Sequence, residues 1–280
     1  MFKLLVTGSN GQLGRAVNKL YEGNKEIELV NTDVAELDIT NLEQTLEFVE
    51  QVKPYAIINC AAHTGVDACE TDIDNAYKIN ALGPRNLSIA ASKVGAKMVQ
   101  ISTDYVFSGD ADKPYTEFDE PAPQGVYGKS KLAGELFVKQ FADKFFIIRT
   151  AWLYGDGKNF VKTMLRLAET NDKVRVVSDQ YGSPTSTKEL AKIIDKLLWT
   201  ENYGTYHGTC EGSCSWADFA KEIFRLAGKN TEVDYITTAE YPTPAKRPAY
   251  SVLEKFMLKL TVGYEPADWH DAIAEYIAEL

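Results

Sequence analysis

Residues 3–14 read KLLVTGSNGQLG, and the fold turns on how they are read. KLLVT is a short, continuous apolar run of the kind that forms a strand buried on both faces. It stops at a glycine. Gly8, Gly11 and Gly14 then lead into QLGRAVNKLYEG (12–23), an amphipathic pattern that predicts a helix. A glycine turn between a strand and a helix permits a tight bend and lets a pyrophosphate approach the backbone. The helix N-terminus behind it supplies N–H donors and the positive end of a dipole.

The same alternation continues along the chain. Apolar runs IELVNTD (27–33), YAIINCAA (55–62), KMVQIST (97–103) and FFIIRT (145–150) predict further buried strands. Between them NLEQTLEFVEQV (41–52), NAYKINALGPRNLSIAASKVG (75–95) and YGKSKLAGELFVKQFA (127–142) predict helices. Strands alternating with helices of this length form βαβ units, and right-handed crossovers wind them into a parallel sheet covered on both faces. The fold class expected is α/β: a doubly wound, Rossmann-type sheet over residues 1–150. A smaller α/β substrate-binding part is expected over 151–280, partly interleaved with the sheet. In that second part NFVKTMLRLAE (159–169), STKELAKIIDKLLWT (186–200) and SWADFAKEIFRLAG (215–228) predict helices and YHGTC (206–210) a strand. Ser215 followed by Asp218 is a capping-box signature. YPTPAKRPAYS (241–251) is a proline-rich loop.

Composition narrows the function. Apolar residues make up 45% and charged residues 25% of 280, which is globular, and the net charge of -10 argues against nucleic acid or an anionic membrane as partner. No apolar run has the length of a membrane span, and the N-terminus lacks the features of a signal peptide, so a cytoplasmic enzyme is expected. Cys60, Cys69, Cys210 and Cys214 form no C-x-x-C pair. With His63, His207 and His270 they complete no zinc-like spacing, so no metal site is expected.

Ligands of open α/β sheets lie outside the carboxyl ends of the strands. Asp33 ends the second strand, about 20 residues beyond the glycine turn, where an acid binds ribose hydroxyls and mildly favours NADH over NADPH. Asp38 reaches the adenine end or caps the helix after it. Ala61 and Ala62, beyond the third strand, are small enough for a backbone to lie against a cofactor. His63 has a positioning role. Ser102 and Thr103 end the fourth strand with hydroxyls on the ligand side. Tyr127 and Lys131 stand four apart at the start of a helix, so phenol and ammonium share a face. The ammonium, about 5 Å away, is expected to lower the phenol by about 2 pKa units.

The glycine trio at Gly8, STDYVF at Ser102 and the Tyr127–Lys131 pair together resemble the extended short-chain dehydrogenase/reductase family. GQLG, NCAAHTGVDACE, YGKSKLAGE, RTAWLYG, NFVKTMLRLA, DQYGSPT and YPTPAKRPAYSVL are similar to a narrower group, the dTDP-4-dehydrorhamnose reductases. The resemblance implies NADH- or NADPH-dependent reduction of a nucleotide-sugar C4 ketone, with Tyr127 as proton donor. Thr103 would bond the oxygen, and Lys131 would also hold the nicotinamide ribose. It implies cofactor contact by Asn10, Gly11, Gln12, Asp33, Asp38, Ile39, Ala62, His63 and Thr64, joined by Gly8, Gly14, Ala61 and Ser102. It implies substrate contact by Thr103, Asp104 and Trp152, with Tyr105 and Gln180 beside them. Arg247 is a charge-assisted donor suited to a pyrophosphate. A homodimer is compatible with it. Some relatives carry magnesium at a dimer interface, but no carboxylate cluster for it stands out here. Two other readings compete. One is a nucleotide-sugar dehydratase or epimerase; dehydratases carry glutamate after Thr-Asp, where this chain has Tyr105. A non-catalytic cofactor-binding regulatory subunit would not need Thr103, Tyr127 and Lys131 together.

Overall fold

The computed structural model describes residues 1–280. The first half alternates as expected: β1 (Phe2–Thr7), α1 (Gln12–Tyr21), β2 (Ile27–Thr32), α2 (Leu42–Val52), β3 (Ala56–Asn59), the short α3 (Val66–Cys69) and α4 (Ile73–Tyr77), α5 (Gly83–Val94), β4 (Lys97–Thr103), α6 (Val126–Phe141) and β5 (Phe145–Thr150). The sheet has six parallel strands in the order Gly204–His207, β5, β4, β3, β1, β2. The order turns back at β1, next to β3, which is the topological switch point where a crevice opens.

Both faces of the sheet are buried, which is why its strands read as continuous apolar runs. Leu4, Val6, Val99, Ile101, Phe146 and Ile148 pack under α1 and helix Thr187–Leu198. Leu5, Ile57, Met98 and Ile147 point the other way, against Leu87 of α5 and Val138 of α6. Each such aliphatic side chain contributes about 1.5–3 kcal/mol on burial.

Two features of this layer differ from the sequence reading. The strand expected at 206–210 is Gly204–His207, paired with Phe146–Arg149. The helix expected over 75–95 is interrupted by a π-helical segment, Lys78–Leu82, before α5. Pro84 lies in the first turn of α5, where its missing N–H has no partner to lose within that helix.

A second core gathers Tyr154, Val161, Met164, Val176, Phe219, Ile223, Trp269 and Ile273. Here the sequence reading omitted several short strands. Lys173–Val177 pairs with Glu232–Ile236, Leu153–Tyr154 with Thr185–Ser186, and Tyr181–Gly182 with Cys214–Ser215. Pairs two to five residues long carry too little periodicity to be read. The helices start where capping residues demand it: Asn159 accepts from the Lys162 N–H at 3.0 Å, Ser186 from Glu189 at 3.1 Å, and Ser215 with Asp218 forms the full capping box. No helix is long and apolar enough to cross a membrane.

Candidate active site

The glycine turn is built on backbone contact. Gly8 has φ 65°, and a Cβ there would lie 2.7 Å from the backbone of Ala61; a Cβ on Gly14 would lie 2.5 Å from the Gly8 carbonyl. Only hydrogen fits at either position. Gly11 caps α1 with no side chain bonded to the first-turn N–H groups, and no acid stands in that turn. The helices that begin after Asn41, Asn159, Ser186 and Ser215 are all closed by their capping side chains. α1 therefore keeps free donors and a positive dipole end, which suits a dinucleotide pyrophosphate. Asp33 sits across the turn and accepts the Asn10 N–H at 3.3 Å. Gln12 accepts from Asn159 at 3.2 Å, which ties the turn to the second half of the chain.

Other residues expected near the cofactor are placed unequally. Ala61, Ala62, His63 and Thr64 run along the carboxyl end of β3. The His63 backbone is fixed on both sides by Asn80, whose side chain accepts its N–H at 2.8 Å and donates to its carbonyl at 3.1 Å. Asn80 also donates to Ser130 Oγ at 3.1 Å, and Ser130 donates to the Tyr127 carbonyl at 2.9 Å. The π segment carrying Asn80 thus locks the cofactor-side loop to α6. The sequence reading missed it; the breaker pair Gly83–Pro84 inside a helical pattern was the available signal. Ile39 is buried in the core against Leu87, so it offers a ligand only its backbone. Asp38 closes a turn on Thr40, whose hydroxyl lies 2.7 Å away, and Asn41 is the cap of α2, not Asp38.

At the end of β4 successive side chains diverge. Ser102 is a correction: its hydroxyl faces inward and donates to Glu135 Oε1 at 2.5 Å, so the side chain is not turned to a ligand. Glu135 in turn binds Arg149 through two bonds, Nε–Oε1 at 2.9 Å and Nη2–Oε2 at 2.8 Å. Thr103 faces the crevice. It donates to Asp104 Oδ1 at 2.9 Å and accepts the Tyr105 N–H at 3.2 Å. Asp104 is 2% exposed, with no group in good hydrogen-bond geometry at Oδ2; burial pushes its carboxyl up to about 6 against the Ser251 and Thr103 hydroxyls, which hold it down.

Tyr127 opens α6, as its spacing from Lys131 required. Its ring meets that of Tyr105 edge to face at 5.5 Å. The expected lowering of the phenol is corrected. Burial raises it above the ordinary tyrosine range, with the Thr103 hydroxyl partly opposing and Asp104 adding to the rise. Lys131 does not act on it because its ammonium is turned into the sheet and donates to the Ile101 carbonyl at 2.6 Å. Burial lowers Lys131 itself to about 8, against the pull of Glu135.

The second half supplies the facing wall. Trp152 adopts φ 48°, a left-handed backbone that non-glycine residues rarely take and that marks functional sites. Its indole stacks on Trp216 at 3.5 Å, and Gly182 of the YGSPT segment lies against its edge. Arg247 donates to Tyr105 Oη at 3.1 Å and to Asp67 Oδ2 at 2.7 Å, which brings the proline-rich loop over the crevice. Asp67 and Trp216 escaped the sequence reading because each acquires its neighbour only through the fold. Gln180 is turned away from this group, donating to Thr238 at 3.0 Å. The cysteines are all unpaired, and no three metal-ligating side chains come together.

The profile of a protein family described as RmlD substrate binding domain matches residues 2–280. A dTDP-4-dehydrorhamnose reductase of Aggregatibacter actinomycetemcomitans is 43% identical, over 98% of this chain and 97% of that one. The chain belongs to the dTDP-4-dehydrorhamnose reductase family. Solved members superpose closely. A reductase of the family from Clostridium acetobutylicum is 56% identical with a TM-score of 0.98, covering 99% of both chains. One from Bacillus anthracis, solved in complex with NADP, is 45% identical with a TM-score of 0.97, over 100% of this chain and 99% of that one. The Rossmann-type fold read from the glycine turn is thus the fold of the family.

Proposed function

We propose that the chain reduces the C4 ketone of dTDP-4-dehydro-L-rhamnose to dTDP-L-rhamnose, with NADH or NADPH as reductant. The observation that carries this is the Thr103 hydroxyl set against the Tyr127 phenol at the carboxyl end of the sheet, with Trp152 two residues beyond Thr150, the β5 partner of Thr103, and an uncapped α1 N-terminus, in a chain of this family. In this reading residues 1–150 hold the cofactor. Residues 151–280 hold the nucleotide sugar, and strand Gly204–His207 is lent back to the sheet.

The bound nicotinamide supplies hydride to the ketone carbon. Tyr127 supplies the proton. Its raised pKa keeps the phenol neutral across the physiological range, so it serves as a donor in the direction of reduction. Thr103 bonds the same oxygen and steadies the phenolate left behind. Lys131, one turn along on the same helix, carries positive charge up to about pH 8; with one donor kept on the Ile101 carbonyl, its remaining N–H groups would hold the ribose side of the cofactor. Trp152 and Arg247 grip the substrate, the guanidinium matching the diphosphate. Small residues at Gly8, Gly11, Ala61 and Ala62 let the cofactor lie on backbone. Asp33, beside the glycine turn, would hold the adenosine ribose hydroxyls.

The test follows NAD(P)H absorbance with dTDP-4-dehydro-L-rhamnose generated in situ, each cofactor in turn. Substrate-dependent oxidation yielding dTDP-L-rhamnose is expected. Cofactor binding without oxidation would overturn the assignment.

A further inference from the structure

A concavity lies away from this crevice, at the amino-terminal edge of the sheet. It has a volume of about 520 Å³, in the range of small-molecule sites. Lys3, Lys53, Lys97 and Lys144 line it, and no acidic residue does. None of the four has a carboxylate within ion-pair distance. In a chain of net charge -10 such a gathering runs against the overall field.

Lys97 adds buried positive charge beside the cavity, although its three ammonium donors are already taken. It is 6% exposed, and all its acceptors are neutral: Tyr55 Oη at 2.6 Å, the Leu198 carbonyl at 2.9 Å and the Thr200 carbonyl at 3.0 Å. The Tyr55 ring lies 4.7 Å below the ammonium. A buried charge normally has a counter-ion. The fold brings three carboxyl-terminal dipole ends here, those of α2, α5 and helix Thr187–Leu198, worth roughly -0.5 each. Three such ends do not balance four ammonium groups. The surplus asks for an anion of two or three charges. The wall beside the lysines is aromatic, with Phe2 and Tyr55 edge to face at 4.9 Å and Phe2 44% exposed.

We propose that this cavity is a second anion site, distinct from the catalytic crevice, that takes a nucleoside diphosphate: the phosphates among Lys3, Lys53 and Lys144, and the nucleoside against Phe2. β4 joins the two sites, with Lys97 as its first residue and Thr103 as its last.

Calorimetric titration of the whole protein with thymidine diphosphate, inorganic pyrophosphate and thymidine tests this. Thymidine diphosphate is expected to bind with a second equivalent beyond that of the crevice. In Lys53→Glu/Lys144→Glu that equivalent weakens by about tenfold or more, because the local charge is cancelled. Both lysines are exposed and neither belongs to the catalytic crevice, so turnover and melting temperature stay at wild-type values. Pyrophosphate is expected to bind the same site more weakly, and thymidine alone not to bind it. Absence of the second equivalent, or its survival in the double variant, overturns the site. Pyrophosphate binding as tightly as thymidine diphosphate overturns the nucleoside assignment. If turnover fails while the second equivalent persists, the proposed reaction falls and this site stands.

Discussion

Ser102 and Thr103 are neighbours on one strand, yet they belong to two polar regions built on opposite principles. Behind β4, Ser102 joins Glu135 and Arg149 in a buried cluster where both carboxylate oxygens are bonded. In front of it, Thr103 joins Asp104 and Tyr127, where one carboxylate oxygen has no group in good hydrogen-bond geometry and burial raises both acids. Strand alternation puts the two clusters one residue apart and on different faces. The rear cluster, in which the carboxylate is fully bonded and only Arg149 Nη1 lacks a partner, holds structure. The front cluster stores the electrostatic cost that a substrate and a proton transfer can relieve.

The difference between the regions can be broken by substitution. Tyr127→Phe removes the proton donor. Turnover is expected to fall by about 10²–10⁴-fold, with NADPH affinity nearly unchanged in a fluorescence titration. Near-normal turnover would remove Tyr127 from the mechanism. Glu135→Ala strands Arg149 as an uncompensated buried charge. Denaturant unfolding is expected to show a loss of about 3–5 kcal/mol, much of it recovered by adding Arg149→Met. A loss equal to that of an ordinary surface change would show the rear cluster to be no keystone.

Asp104→Asn should do the reverse. The native carboxyl titrates near 6, above its ordinary value, so the folded state holds a proton that the unfolded state has released. Stability contributed by that proton is present at low pH and is lost as pH rises from about 4 to about 6. The variant should therefore be more stable than the native protein at pH 7, by about 1–3 kcal/mol, with the gain vanishing near pH 4, while its turnover drops. A gain independent of pH would mean that the carboxyl does not carry the cost. Ser102→Ala is the mildest. It removes one buried hydrogen bond, worth about 1 kcal/mol, and is expected to leave cofactor affinity within about twofold. A large loss of affinity would return Ser102 to the cofactor site.

The sequence was most legible where one residue type answers one physical demand. Gly8 and Gly14 must be glycine because backbone fills the space of a Cβ, and the turn they make announces the sheet. Ser215 and Asp218 announced a helix start that the structure closes with both capping bonds. It was least legible where a side chain's role depends on what arrives from elsewhere. Lys131 shares a helical face with Tyr127, but Ile101, brought in by β4, takes its ammonium and leaves the phenol to burial. Arg247 finds Asp67 at a separation of 180 residues.

Local covalent geometry and periodicity are properties of the chain itself, so the sheet, its glycine turn and the spacing of Tyr127 and Lys131 could be written down from the sequence. Burial and hydrogen-bond partnership are properties of the packed molecule. Only the tertiary structure decided that Ser102 is structural, that Asp104 is held near 6 and that Trp152 faces Trp216 across a left-handed turn. The reason is physical: a charge or hydroxyl has no fixed pKa or role until its desolvation and its partners are set, and both are set by segments far apart in the chain.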